Sequence, residues 1–479
     1  MVAPELETMP HGFQRSLSRS RRTSKGSFML SVTPSNQVAG KYAADWSSLD
    51  TRPIPEWFDQ AKFGIFIHWG IYSVPSWSPK RNTVDTTGEA YAEWYGMLMQ
   101  RPESAFHKHH METYGPRFKY QDFAPMFKAE HFDPEFWANL FKTAGAQYVV
   151  LTAKHHDGFC LWPSEYAWNW NSVDIGPHRD LVGEVKAAVE AVGLKMGLYY
   201  SLSEWFHPLV DAAKEPLERQ TDRYVVEHMI PQLKELIERY SPQTLFTDGE
   251  WTNTSSEWRS EEFLAWLFNE SKPRATIAVN DRWGSDTRSR HGGYYTTEYG
   301  EVGFEGELAQ DRKWEENRGI GNSYGYSRNE DVADYLSEGE LIHLLVDTVC
   351  KGGNLCLNVG PTPDGRIAVI QQERLLQIGE WLKVNGEAIY STRPCEQQDG
   401  APMTTNGSDV FCFFHRWPDS QVLLNVAYCR ECPQKATILG MDSPLEIQER
   451  NGKLLVSVPC VRIDDVPCRA AYVIKVTQE

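Results

Sequence analysis

The sequence predicts a (β/α)8-like barrel followed by a C-terminal antiparallel β-sandwich. Three observations predict it. From Trp46 to about Arg393, apolar strand-like runs alternate with amphipathic stretches, and such alternation implies a parallel sheet. The strand-like runs number eight, as a barrel requires. After Pro394 the rhythm changes to short strands and polar turns with no helix between them. A doubly wound open sheet is the other arrangement of such units, but no GxGxxG follows the first strand.

The strands are expected at 63–70, 147–156, 195–202, 244–251, 275–283, 292–299, 313–320 and 352–360, the sixth and seventh being poor in strand formers. Helices are expected at 133–145, 179–193, 223–240, 339–353 and 374–386. The first opens with Asp and Pro and closes at Gly, which supplies a cap, a preset φ and a stop. The segment 223–240 carries a proline that can kink it. The chain therefore divides into a basic N-terminal arm over 1–45, a barrel over 46–394 and a sandwich over 395–479. The arm contains "RSLSRSRRTSKGS", a composition too polar to fold, and is expected to be disordered.

The totals narrow the function classes. A net charge of −17 argues against a nucleic-acid partner for the whole protein. No apolar run is long enough to cross a membrane, and no signal peptide is visible, so a cytoplasmic protein is expected. Seventeen Trp and 21 Tyr suit a partner with apolar sugar faces, although an aromatic-rich core accounts for the same load. Of the 9 cysteines, Cys429 and Cys432 form a CxxC without a second pair or a nearby His to complete a zinc site. Free thiols are expected, and a disulfide between C-terminal strands stays open.

A barrel carries its chemistry at the C-terminal ends of its strands. Those ends read His68–Trp69, His155–His156–Asp157, Tyr199–Tyr200–Ser201, Asp248 to Trp251, Asn280 to Trp283, Glu298–Tyr299 and Asn358. A single strand-end Asp is usually a cap and a single buried His a satisfied core group. Their convergence from separate strands is harder to explain as solvated turns. "HKHH" at 107–110 is expected on a polar surface loop. Too few carboxylates accompany the histidines in an HxH or HExxH spacing, so no metal site is expected; nor is there a GxSxG or a phosphate loop. What remains is Asp248 with later carboxylates among aromatics, which is the equipment of glycoside hydrolysis.

The blocks "WFDQAKFGIFIHWGIYSVPSW", "YVVLTAKHHDGFCLW", "GLYYSLSEW", "LFTDGEW", "NDRWG" and "GGNLCLNVGPTPDGRI" resemble the α-L-fucosidase family, glycoside hydrolase family 29. The resemblance implies a retaining exo-glycosidase that removes terminal α-L-fucose from fucosylated oligosaccharides or glycoconjugates and needs no cofactor. It implies Asp248 as nucleophile. "TTEYG" resembles the family's TxEY form and makes Glu298 the acid/base candidate, with Glu301, Glu305 and Glu315 as rivals. The fucose pocket would use His68, Glu93, Trp94, His155, His156, Tyr199 and Arg282, and the sugar's methyl group would meet an aromatic wall from Trp94, Phe246 or Trp283. In a strict strand His155 and His156 would face opposite ways, so both reach one sugar only if the chain bulges or curls there. A transfucosidase, a non-catalytic carbohydrate-binding barrel and a metal-dependent hydrolase are the alternative functions. Self-association is left open.

Overall fold

The computed structural model describes residues 41–80, 91–211, 213–214, 220–302, 312–395, 401–427 and 434–478. Its first sheet is built from β1 (Phe63–Ile67), β2 (Tyr148–Lys154), β3 (Lys195–Ser201), β4 (Thr244–Asp248), β5 (Ala278–Val279), β6 (Tyr295–Glu298), β7 (Glu301–Val302), β8 (Trp314–Gly319) and β9 (Asn354–Val359). The strand order is β5-β4-β3-β2-β1-β9-β8-β6-β7, parallel throughout except for the β6–β7 hairpin. Eight parallel strands thus follow one another in chain order around a barrel. β1 to β4 and β9 are buried on both faces, which is why they read as continuous apolar runs.

The barrel is closed least regularly between β5 and β6. The two are unpaired as strands, but Gly293 and Tyr294 donate backbone N–H bonds of 3.0 Å to Asn280 and Val279. A Cβ at Gly293 would lie 1.6 Å from the Val279 carbonyl oxygen, so only glycine permits this approach. β5 is shorter than the expected 275–283 because side chains replace the ladder beyond Val279. Asn280 donates to the Thr247 carbonyl at 2.7 Å and accepts from the Thr247 hydroxyl at 2.8 Å.

The expected helices form at Pro134–Thr143, Leu181–Ala191, Glu338–Cys350 and Val369–Asn385, and the segment 223–240 holds a π-helical turn, Val225–Met229, ahead of helix Ile230–Tyr240. Asp133 and Asp180 cap the first two through N–H groups three residues on. Helix Ser260–Asn269, between β4 and β5, was not anticipated. "HKHH" is a correction: it lies in helix Ala105–Thr113, capped by Ser104, and His110 is buried between the Tyr95 hydroxyl and the Phe118 carbonyl. Tyr42, inside the arm expected to be disordered, exchanges two 2.8 Å hydrogen bonds with the Asn269 side chain.

The C-terminal sheet runs β10 (Arg393–Pro394), β11 (Met403–Thr405), β12 (Asp409–Phe414), β17 (Tyr472–Gln478), β14 (Gln434–Ile438), β15 (Pro444–Arg450), β16 (Lys453–Ser457) and β13 (Gln421–Ala427), all antiparallel. β15 pairs with β14 through Pro444 and Leu445 and with β16 through Glu446 to Arg450, so one strand bends from one layer to the other. Cys412, Ile474 and Val476 meet Leu424, Leu454 and Val456 in the sandwich core. Phe411, Phe413 and Val473, on the alternate face, belong to the barrel's core with Leu345 and Val349. The seven cysteines among the described residues are free thiols; Cys429 and Cys432 lie outside them. Among the described residues no helix is long and apolar enough to cross a membrane.

Candidate active site

The strand ends of β1 to β4 and the segment from β5 to β6 place their polar groups around Asp248, the last residue of β4. Its Oδ1 accepts from Arg282 Nη1 at 2.8 Å and its Oδ2 from the Tyr199 hydroxyl at 2.8 Å. Burial alone would push this carboxyl up, but the Arg282 guanidinium, helped by His156 and the hydrogen bonds, holds it down at about 2. It is therefore ionised throughout the neutral range.

Arg282 ties the site together. Its second terminal nitrogen, Nη2, lies 2.5 Å from Glu298 Oε1, so one guanidinium spans Asp248 and Glu298. Its Nε donates to Thr296 Oγ1 at 3.0 Å, and that hydroxyl donates to Asp281 Oδ1 at 2.8 Å. Phe246 lies under the guanidinium, 4.9 Å from ring centre to Cζ, and stacks on Tyr199.

The register of β2 against β3 shifts between Thr152 and Lys154, the expected bulge. The chain then turns through His155 to Gly158 and returns with Cys160 opposite Lys154. The two imidazoles lie 4.1 Å apart by ring centroid on one side of the barrel mouth, with His68 5.9 Å from His155. The hydrogen-bond network assigns their tautomers. Ser201 Oγ donates to the Ser203 carbonyl, so it accepts from His156 Nδ1 at 2.6 Å. Burial pushes His156 down to about 4, leaving Nε2 an acceptor 3.6 Å from Asp248 Oδ2. Two acceptors facing each other leave a place for a donor, such as a sugar hydroxyl. His68 Nδ1 donates to Asn358 Oδ1 at 2.7 Å, which frees its Nε2 as a second acceptor; burial pushes this ring down to about 3. His155 Nδ1 is buried with no hydrogen-bond partner among the described residues.

Glu93 is buried and accepts from the Gly325 N–H at 2.7 Å; burial pushes it up to about 8, so near neutrality it is largely a neutral carboxyl. Trp94 meets His156 edge-on at 5.6 Å and forms an indole wall with Trp205 and Trp251 at 5.8 and 5.7 Å. Trp205, and Tyr324 at 4.8 Å from His68, belong to this cavity and were not anticipated. Trp205 closes the quoted block "GLYYSLSEW", whereas nothing in the local sequence marks Tyr324.

Trp283 is a correction. It stacks on Phe263 of helix Ser260–Asn269 at 5.7 Å and donates its indole N–H to the Asn280 carbonyl, buried in the layer between helices and sheet. Arg282 faces the cavity, whereas Trp283 is turned away from it into the helix layer. Glu315 is also placed away from the mouth. It lies inside the barrel near its N-terminal end, beside Tyr294, and accepts from the hydroxyl of Tyr148, the first residue of β2. Arg312 and Lys313 pair instead with Asp50 and Asp59. Glu305 and the side chain of Glu301 lie outside the described residues.

Comparison with known proteins points to one family. A family model described as alpha-L-fucosidase matches residues 29–387, and one described as the alpha-L-fucosidase C-terminal domain matches residues 401–477. Tissue alpha-L-fucosidase of Rattus norvegicus is 43% identical over 462 residues, covering 94% of this chain and 96% of the relative. The tissue enzyme of Homo sapiens is 43% identical over 448 residues, covering 92% and 93%. A crystal structure of Thermotoga maritima alpha-fucosidase in complex with fucose superposes with a TM-score of 0.79 at 37% identity, covering 91% of this chain and 100% of that one.

Proposed function

The chain belongs to the alpha-L-fucosidase family of glycoside hydrolases, and from that premise we propose that it releases terminal α-L-fucose from fucosylated glycans with retention of configuration, through a fucosyl-enzyme formed on Asp248. The observation that carries this reading is the guanidinium of Arg282, which holds a buried, ionised carboxylate beside a second, partly exposed one. Double displacement uses neighbouring carboxyl groups, about 5–5.5 Å apart in retaining enzymes. Asp248 attacks the anomeric carbon while Glu298 protonates the departing oxygen. Glu298 then takes a proton from water, which releases fucose. Once the ester forms, the charge of Asp248 is gone and Arg282 is left to pair with Glu298 alone.

The test is to follow fucose release from an aryl α-L-fucoside by NMR. α-L-Fucose appears first if configuration is retained; first appearance of the β anomer overturns the mechanism.

The histidines are assigned to the sugar's hydroxyls. His68→Ala, His155→Ala and His156→Ala should each lower kcat/KM by the equivalent of about 0.5–1.5 kcal/mol, more where a buried partner is stranded. The product configuration stays unchanged. Unaltered kinetics in all three variants would make these rings structural.

The pH profile gives a separate check. Burial raises the Asp248 carboxyl and Arg282 is the largest lowering influence, so the wild-type nucleophile stays ionised down to about 2. In Arg282→Met burial dominates, protonation of Asp248 occurs at higher pH, and the acidic limb of kcat/KM moves upward. An acidic limb that stays in place while activity falls would separate Arg282 from the ionisation of Asp248.

A further inference from the structure

We propose that Glu204 is a positioning residue for His155 and His156, clamping from beneath the turn that presents them; the inference rests on the fucoside-hydrolysing reading above. Glu204 itself is buried and lies three residues past the end of β3. Its Oε1 accepts from Lys154 Nζ at 2.6 Å and from His228 Nε2 at 2.9 Å. Lys154 is the residue before His155, and its ammonium also sits 4.0 Å over the Tyr200 ring. On the far side of the turn, Glu204 Oε2 lies where a Cβ on Gly158 would come within 2.6 Å of it. Gly158 has φ +76 and gives its N–H to the His155 carbonyl at 3.0 Å. The carboxylate therefore bonds the residue before the two histidines and borders Gly158 beyond them, where the positive φ favours glycine.

The backbone joins the same clamp. Trp205, the next residue, donates its N–H to the His156 carbonyl at 2.9 Å, and its indole borders both imidazoles at 6.2 and 5.4 Å. The Gln220 amide docks on the main chain of Glu204, accepting from its N–H at 3.4 Å and donating to its carbonyl at 3.2 Å. His228 comes from the π-helical turn Val225–Met229, a local widening that is common at functional sites. Pro231 follows it and has no N–H to continue the regular ladder. The groups facing Glu204 include Lys154 from β2, His228 and Tyr224 from the helix, Asp157 from the turn and His207, whose ring lies 3.9 Å from that of His228. None of them belongs to the set around Asp248. A buried ion pair is weak ground for stability, but it is well suited to fixing one geometry.

The test is a double-mutant cycle. Glu204→Gln keeps the side-chain shape and removes the charge. It should lower kcat/KM about 10-fold, within the loss expected for removing the two histidines themselves, and weaken inhibition by free fucose. In a His155→Ala/His156→Ala background the same substitution should cost less than about 3-fold, because the groups it positions are gone. The double variant Lys154→Met/Glu204→Gln strands no buried charge; it should fold even if Glu204→Gln does not, and should show the same dependence on the two histidines. A full loss that persists in the His155→Ala/His156→Ala background, or wild-type kinetics in the Lys154→Met/Glu204→Gln variant, overturns the assignment. Failure of the functional reading would look different: the wild-type protein would neither release nor bind fucose.

Discussion

Asp248→Gly will lose about 10³-fold or more in kcat/KM, equivalent to about 4 kcal/mol of transition-state stabilisation, while the protein stays folded. The size follows from the role: without the nucleophile the covalent route is closed, and only positioning and electrostatics remain. The fold survives because Arg282, which loses one partner, keeps Glu298 at 2.5 Å and Thr296 at 3.0 Å. The cavity left by the carboxylate gives a sharper readout than the loss itself. Azide can enter it and attack the anomeric carbon once, giving a fucosyl azide of inverted configuration and partial recovery of rate. A folded Asp248→Gly variant with near-normal turnover, or one whose azide product keeps the original configuration, would remove Asp248 from the nucleophile's role.

Legibility in the sequence depended on which physical pattern carried each part. β1 to β4 and β9 were legible as buried apolar runs because both faces of a parallel barrel strand are covered. β5 and β6 were overextended because polar side chains, Asn280 with Thr247 and Thr296 with Asp281, finish there what the backbone ladder begins. Their polar residues read as strand ends, but periodicity does not say which face each one takes. That is how Trp283 was assigned to the cavity beside Arg282, when it fills the helix layer. The opposite error hid Glu204. A carboxylate in "SLSEW" looks like a turn residue, and only the folded chain brings it to Lys154 and His228 from other elements. Contacts between distant segments leave no spacing to read.

The acid/base role separates the remaining carboxylates by leaving group. Glu298→Ala should lose about 10²–10⁴-fold in kcat/KM on fucosylated oligosaccharides, whose departing alkoxide needs a proton, and far less on an aryl fucoside with a strongly activated phenol. kcat/KM is the proper quantity because it covers formation of the fucosyl-enzyme and not its hydrolysis. On the activated substrate that second step becomes limiting, since no base remains to activate water, and a burst of phenol should precede slow turnover. Azide needs no base and should speed the second step, giving a fucosyl azide of retained configuration, the reverse of its effect on Asp248→Gly. Structure and charge support the choice of Glu298. It ends β6 at the mouth, its side chain is 37% exposed, and it shares Arg282 with the nucleophile. The contact with Arg282 must loosen as substrate enters so that Glu298 can reach the departing oxygen. Glu315, enclosed with the Tyr148 hydroxyl toward the N-terminal end of the barrel, has no path to the leaving oxygen, so Glu315→Gln should affect stability without any dependence on leaving group. Equal losses of Glu298→Ala on both substrate types, or a leaving-group dependence in Glu315→Gln, would move the role to another carboxylate.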